Sequence, residues 1–183
     1  MRRPIDRRSI DRRLVAALIL AGLAFAGLLA AGPSASAQQP GCTPSGPSGP
    51  AVVFDCGAGF TITVERESSF VLSDADGDGG VDTMELNRGG ALVDFDRPGT
   101  TFQILTPRAV ASVRGTRWVV DAGAEATAVF VVRGAVAVRR RAGGEAVTLE
   151  AGEGVDVADG TAPLTVARWA APRAAALLAR FGQ

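Results

Sequence analysis

Short stretches in which apolar and polar residues alternate run through most of the chain after residue 50. In residues 60–65, Phe-Thr-Ile-Thr-Val-Glu, every second side chain is apolar. Because successive side chains of a β-strand point to opposite faces, this pattern predicts a strand with one buried and one wet face. Residues 129–132, Val-Phe-Val-Val, are continuously apolar and predict a central strand that is buried on both faces.

Similar stretches recur with glycine-containing turns between them, at residues 88–90, 97–99, 133–134 and 142–144. They predict an all-β fold: a single domain of short, mostly antiparallel strands, built as a β-sandwich or a β-solenoid-like roll. The predicted strands are 51–54, 60–65, 70–73, 83–87, 91–95, 101–105, 110–114, 117–121, 127–133, 135–140, 146–150, 154–157 and 164–169.

A short C-terminal α-helix is predicted at residues 171–183, which are rich in alanine and carry Pro172 in the first turn. Leu177, Leu178 and Phe181 lie on one side of this helix. That side either packs on the sheet or covers its open edge, or it docks a partner. Packing is favoured, because edge strands usually need a cover.

The N-terminal residues have the pattern of an export signal. Residues 1–13 are basic, residues 14–31 are an unbroken apolar run, and the following residues end in Ala35-Ser36-Ala37, which signal peptidase accepts. We therefore expect cleavage after Ala37 and a periplasmic or secreted protein. Alternatively, the apolar run stays uncleaved as a membrane anchor, since it is near the lower length limit for a span. The expected organisation is a signal peptide at 1–37, a Pro/Gly/Ser-rich linker at 38–50, a β domain at 51–170 and the helix at 171–183.

Composition narrows the chemistry that the chain can perform. It contains no histidine and no lysine, which excludes histidine-activated nucleophiles, Schiff bases and histidine zinc sites. Paired carboxylates remain available, but no spacing of Asp or Glu singles out a hydrolase pair, so no enzymatic activity is expected. Residues 1–37 hold six of the 19 arginines and two of the 19 acidic residues, which leaves a body with a net charge near −4. Such a body is not expected to bind nucleic acid.

Cys42 and Cys56 are the only cysteines. An even number of cysteines in an exported chain favours a disulfide over two free thiols. The bond would tie the linker to the first predicted strand, and closing a loop of this size stabilises a fold by about 3 kcal/mol.

Residues 74–85, Asp-Ala-Asp-Gly-Asp-Gly-Gly-Val-Asp-Thr-Met-Glu, match the spacing of a twelve-residue calcium loop. Carboxylates at alternate positions with a glycine at the bend let one short loop wrap the ion. The flanking residues predict strands, whereas an EF-hand has helices there. A weak calcium site and a plain acidic hairpin turn therefore both stay open. The candidate calcium ligands are Asp74, Asp76, Asp78, Gly80, Asp82 and Glu85.

Residues 106–120 carry a more specific pattern: a Thr-Pro, an alternation of small and apolar residues, and Val-Arg-Gly-Thr before an aromatic strand. This pattern resembles the FecR-type periplasmic signalling domain. A strand-Gly-strand hairpin at 129–138 and an Ala-Gly-Glu turn at 151–153 follow in the same order, so the resemblance spans about residues 60–169. The residues that carry it are Thr106, Pro107, Val113, Arg114, Gly115, Thr116, Gly134 and Gly152.

Within this motif, Gly115 is expected to mark a bulge or a tight bend between two strands. Arg114 is either an exposed contact residue or a structural pairing partner, and the structural role is favoured.

The resemblance implies a sensing or binding module whose partner is an envelope protein, for example an outer-membrane transducer. Full regulators of this family also control a sigma factor through a cytoplasmic segment. Only thirteen residues precede the apolar run here, so direct contact with a sigma factor is not expected. The leading hypothesis is an exported, non-enzymatic FecR-like module acting in the bacterial envelope, and the alternative is a calcium-stabilised structural protein.

Overall fold

The computed structural model describes residues 41–183. The predicted signal peptide and the first residues of the predicted linker lie outside the described residues. The elements are β1 (Thr43–Ser48), β2 (Ala51–Asp55), β3 (Phe60–Glu65), β4 (Ser69–Ser73), β5 (Thr83–Phe95), β6 (Phe102–Leu105), β7 (Ala109–Val113), β8 (Thr116–Ala122), β9 (Ala126–Arg133), β10 (Ala135–Arg140), β11 (Val147–Glu150), β12 (Glu153–Ala158), β13 (Ala167–Arg168) and α1 (Ala171–Ala179).

The strands form one curled sheet that folds into two layers, and the predicted all-β class with a short C-terminal helix is confirmed. The first layer contains β1, β2, β3, the second half of β5, β8, β9, β12 and β13. The second layer contains β4, the first half of β5, β6, β7, β10 and β11. All described pairings are antiparallel except that of β5 with β6.

The main core lies between the layers and is built around aromatic side chains. The ring of Phe60 meets those of Phe95 and Phe102 edge to face, with centroids 5.0 and 4.8 Å apart. Trp118 is fully buried in the same core. Edge-to-face pairs stabilise a core beyond the area that they bury, so these rings fix how the two layers meet.

Strand β5 corrects the predicted turn at residues 88–90. Instead of two strands with a turn, one strand of 13 residues passes from the second layer into the first. Gly89 has φ +86°, a conformation that glycine adopts without strain, and a Cβ there would lie 2.4 Å from Ser68 Oγ. The glycines therefore let a strand bend between layers, which a sequence pattern does not distinguish from a hairpin turn.

Two further predictions at the ends of the domain need correction. Residues 43–48, predicted as part of the linker, form β1, which pairs with β2. The strand predicted at residues 164–169 is reduced to the two residues of β13. The predicted disulfide between Cys42 and Cys56 is present, with both cysteines buried, and it holds the start of the β1–β2 hairpin on the body.

Helix α1 packs on the outer surface of the first layer, as favoured from the sequence. Leu177 and Phe181 are buried against Leu92, Val119 and Phe130, which point away from the main core. Phe130 thus has a cover of its own, while its neighbours Val129 and Val131 face the main core. The prediction that residues 129–132 form a strand buried on both faces is confirmed.

An ion-pair network fixes the end of the helix. The Arg180 guanidinium donates to both oxygens of Glu65 at 2.7 Å and to both oxygens of Asp121 at 2.6 and 2.9 Å. These hydrogen bonds raise the pKa of Arg180 above its ordinary value, so the group stays charged. Among residues 41–183, no helix is long and apolar enough to cross a membrane.

Candidate functional site

The FecR-like motif lies where the chain crosses from the second layer to the first. Thr106 is buried in the turn between β6 and β7, and its hydroxyl accepts hydrogen bonds from the amides of Arg108 and Ala109 at 3.2 and 2.8 Å. The same hydroxyl lies 2.8 Å from that of Thr127 on β9. Thr106 therefore joins the turn to the first layer, and Pro107 occupies its exposed tip.

The Val-Arg-Gly-Thr segment makes the crossing itself. Val113 ends β7 in the main core, Gly115 turns with φ +68°, and Thr116 begins β8. The buried Thr116 hydroxyl donates to Ala135 O at 3.0 Å. The predicted tight bend at Gly115 is thus present, and it connects strands that pair in different layers.

The remaining two glycines of the motif brace the same region. Gly134 has φ +85°, and a Cβ there would come within 2.8 Å of Gly115 O. Gly152 has φ +84°, and its amide donates to Val131 O at 2.8 Å. The motif therefore encodes mainly backbone geometry, and most of its side chains are unavailable to a ligand.

Arg114 is the charged residue of the motif. Its side chain is exposed, and among the described residues its recorded hydrogen bond is a long one, 3.4 Å from Nε to Thr101 Oγ1. Arg114 is thus exposed, as one of the two alternatives expected, and it also makes a long contact within the fold, so both roles stay open. It stands at one end of a shallow groove on the second layer, here termed the Arg114 groove, which is lined by Thr101, Ser112, Arg114, Ala135, Ala137 and Thr148.

Sequence reasoning did not single out the other residues of the Arg114 groove. They are small, and apart from Thr101, which precedes β6, they occupy strand positions that alternate with core residues and come together only through the pairing of β7, β10 and β11. Ser112 faces outward between the buried Ala111 and Val113. The alternation was visible in the sequence, but the strand order that aligns these positions was not.

The acidic loop between β4 and β5 gathers three of its predicted ligands. One carboxylate oxygen each of Asp74, Asp76 and Asp78 lies within 4.8 Å of the others. Asp82 instead accepts hydrogen bonds from the amides of Ala75 and Asp76, each at 3.1 Å. These hydrogen bonds from backbone amides at the start of the loop to the Asp82 carboxylate at its end close the loop.

The last predicted ligands lie apart from this cluster. Glu85 is on β5, where its carboxylate is 3.8 Å from the guanidinium of Arg141. Gly80 lies at the end of the loop, and its amide donates to Asp78 Oδ1 at 2.7 Å. The structure therefore brings Asp74, Asp76 and Asp78 together but does not include Glu85 in the group.

Opposite pKa shifts distinguish two of the clustered carboxyls. Hydrogen bonds from the amides of Gly79 and Gly77 lower the pKa of Asp74 despite some desolvation. The amide of Asp78 acts in the same direction on Asp76, but desolvation and repulsion from the carboxylates of Asp78 and Asp82 outweigh it and raise the pKa of Asp76. Of these two carboxyls, Asp76 is therefore the one whose ionised form is disfavoured by the neighbouring negative charges.

The fold and the motif define a class of protein: an all-β module in which a rigid crossing between two layers presents an exposed groove. The family model described as FecR protein matches residues 48–137, a range that includes the motif as far as Gly134. Residues 48–137 are therefore similar to the FecR family, which is a regulatory, non-enzymatic kind of protein. FecR domains are typically envelope-associated, and the disulfide of this chain indicates an oxidising compartment.

Two crystal structures of a candidate anti-sigma factor from Parabacteroides distasonis ATCC 8503 are similar to this chain. One, at 1.65 Å resolution, is 20% identical with a TM-score of 0.51, and the match covers 65% of this chain and 56% of that chain. The other, at 2.50 Å, is also 20% identical with a TM-score of 0.49, over 76% and 61% of the two chains. At this identity the likeness concerns the fold alone. No curated protein matches the chain.

Proposed function

We propose that the protein is an exported, non-enzymatic FecR-type signalling module that binds an envelope protein, with an outer-membrane transducer as the candidate partner. The observation that carries the proposal is the exposed Arg114 within a motif whose other members serve the backbone. The guanidinium has five donors in a rigid fork, so it suits recognition of a carboxylate or a carbonyl on a partner.

The surroundings of Arg114 favour a protein partner. The Arg114 groove is shallow and lined by small side chains such as Ser112, Ala137 and Thr148, which let a partner backbone approach closely. Arginine is enriched at interface positions that dominate binding energy. The net charge near −4 of the predicted mature body gives no support to nucleic acid as a ligand.

Calorimetry with the purified protein and the purified periplasmic domains of outer-membrane transducers from the same cell would test the proposal. We expect binding that weakens by about tenfold or more in Arg114→Ala, as for an arginine at the centre of an interface. Arg88→Ala is the matched control, because Arg88 is also exposed but lies near Glu67 at the β3–β4 turn.

The outcomes separate the two parts of the proposal. Binding by the wild type that is unchanged in Arg114→Ala would move the interface away from the Arg114 groove. No binding to any transducer domain would remove the transducer as the partner.

A second role, calcium-stabilised structure, is favoured by the acidic loop. Asp74, Asp76 and Asp78 would supply carboxylate oxygens to the ion, which is the ligand type that calcium prefers. In this role the loop matters for stability in the envelope and no signal is transmitted.

A further inference from the structure

The floor of the Arg114 groove is formed by β10. Ala135 and Ala137 are exposed there and alternate with the buried Val136 and Val138. An alanine side chain rises less far above a sheet than the longer side chains on the two neighbouring strands, β7 and β11, so the outer surface is lowest along β10. The groove therefore has one wall on each side of β10.

The first wall belongs to β7 and ends in a positive charge. In the register of the two strands, Ser112 on β7 lies beside Ala137 on β10. The same register, continued by two residues, places Arg114 beside Ala135. Arg114 is exposed, and its recorded hydrogen bond is the long one to Thr101. This wall therefore presents a guanidinium whose donors are available to a partner.

The second wall belongs to β11 and ends in a negative charge. Thr148 lies beside Ala137, and Glu150 lies beside Ala135. Both residues of this wall are exposed, as the two alanines are. The amide of Glu150 donates to Glu153 Oε2 at 2.8 Å, so a second carboxylate lies next to the end of this wall.

Arg114 and Glu150 thus stand on opposite walls and do not neutralise each other. Their strands are separated by β10, which places the two backbones about 9.5 Å apart. Among residues 41–183, neither side chain takes part in an ion pair. The groove is therefore positive along one wall and negative along the other.

We propose that the partner places an extended segment across β10, with an acidic side chain against Arg114 and a basic side chain against Glu150. In an extended segment, side chains two residues apart point to the same face and lie about 6.5 Å apart, so two long charged side chains reach both walls. This inference rests on the proposed function. It adds Glu150 as a second recognition residue and states the charge pattern of the partner.

Opposite charges give the groove a selectivity that Arg114 alone does not provide. A segment with two acidic side chains would oppose one of them to Glu150, and a segment with two basic side chains would oppose one of them to Arg114. Like charges brought together at an interface are costly and exclude wrong partners. The order of the two charges in the segment also sets the direction in which it crosses the groove.

Nuclear magnetic resonance titration of the nitrogen-15-labelled protein with capped pentapeptides tests the charge pattern without a transducer. The probes are a bipolar peptide, Gly-Glu-Ala-Arg-Gly, a doubly acidic peptide, Gly-Glu-Ala-Glu-Gly, and a neutral peptide, Gly-Gln-Ala-Gln-Gly. Affinities should be of the order of millimolar, because a short flexible peptide loses conformational freedom on binding. We expect the bipolar peptide to shift the amide signals of Ala135 and Ala137 and to bind about threefold or more tightly than the other two.

A charge reversal on the second wall gives the sharpest variant. In Glu150→Arg both walls are positive, so the preference should change from the bipolar to the doubly acidic peptide. Arg114→Ala and Glu150→Gln should each weaken binding of the bipolar peptide by about threefold or more. Glu125→Arg is the matched control, since it makes the same change of charge at an exposed position on the β8–β9 turn and should keep the native preference.

Amide signals outside the groove that stay unchanged in each variant show that the fold is kept. A wild type that binds the three peptides equally, or none of them at ten millimolar or so, overturns the inference. So does a Glu150→Arg variant that still prefers the bipolar peptide.

Calorimetry with the transducer domains separates this inference from the proposed function. Binding that weakens in Arg114→Ala but not in Glu150→Gln would support the proposed function and overturn the second recognition residue. Peptide selectivity that follows the two charges, without binding of any transducer domain, would support the charge pattern and remove the transducer as the partner.

Discussion

Single residues decide how the helix is held on the first layer. Gly90 is buried on β5 beneath Phe181, and its amide donates to Glu65 Oε2 at 2.8 Å. The same Glu65 receives the guanidinium of Arg180. One position without a side chain thus makes room for an aromatic ring and for an ion pair at once.

Replacement of Gly90 by alanine should loosen the helix. The new Cβ would lie 2.7 Å from Phe181 Cζ and 2.9 Å from Glu65 Oε2, distances that side chains do not tolerate. We expect a loss of about 1–3 kcal/mol in the free energy of unfolding, the usual cost of overpacking. Urea unfolding of the wild type and Gly90→Ala measures it.

A double-mutant cycle with Phe181→Leu gives the control for this prediction. Leucine lacks the ring atom that the Cβ would meet, so Gly90→Ala should cost less in that background, by about 0.5 kcal/mol or more for residues in contact. If Gly90→Ala lowers the free energy of unfolding equally in both backgrounds, the strain does not come from contact with Phe181.

At the level of single residues, the sequence predicted the local role of a residue better than it predicted which distant side chains that residue contacts. The bend at Gly115 and the disulfide of Cys42 with Cys56 follow from local chemistry and are present. The pairing of Arg180 with Glu65 and Asp121 joins residues 115 and 59 positions apart. Such distant pairs depend on the strand order, which a single sequence does not specify.

Elements were predicted well where alternation was strong and poorly where glycine or proline dominated. The bounds of β3 and β10 agree with the prediction. Strand β5 was divided at its glycines, and β1 was missed because its sequence, Thr-Pro-Ser-Gly-Pro-Ser, lacks apolar residues. Its pairing to β2 and the adjacent disulfide, rather than its own propensity, hold it in the sheet.

The acidic loop is the element whose chemistry is easiest to test. If it holds calcium, the ion relieves the repulsion that raises the pKa of Asp76, and the native state gains stability by mass action. The gain is about 2.7 kcal/mol at a hundredfold excess over the dissociation constant. Thermal melting with calcium or with chelator, at fixed ionic strength, measures it.

Variants and a second ion make this calcium test specific. Asp76→Asn should lose the calcium-dependent shift, while Glu125→Gln, which removes an exposed carboxylate at the β8–β9 turn, should keep it. Magnesium should raise the melting temperature less than calcium does, because it requires stricter octahedral geometry. Acidification should weaken the calcium effect, since Asp76 with its raised pKa takes up a proton at a higher pH than an ordinary aspartate. Equal melting with calcium and with chelator would leave the loop as an acidic turn.

In the whole molecule, the parts that stabilise the fold and the surface that we propose for partner binding lie in different places. The disulfide, the main core and the covered first layer hold the fold, while the Arg114 groove lies on the second layer. The sequence indicated the all-β class and the FecR resemblance from local patterns. It did not indicate that the layers differ in cover, because that asymmetry arises from where α1 packs.

The position of the domain in the cell depends on residues outside the described part of the chain. Residues 1–37 combine six arginines, an apolar run and the Ala35-Ser36-Ala37 pattern, so we expect signal peptidase to cut after Ala37. Mass spectrometry of the protein from the periplasm or the medium should then find Gln38 as the first residue. Ala37→Asp is the informative variant, because a charged side chain at the cut blocks a peptidase that requires small residues there, while Gln39→Asp keeps that requirement satisfied. The first variant should accumulate uncleaved in the membrane fraction and the second should be processed. Intact wild-type protein in the membrane fraction would instead establish the apolar run as an anchor, with the FecR domain held at the membrane surface.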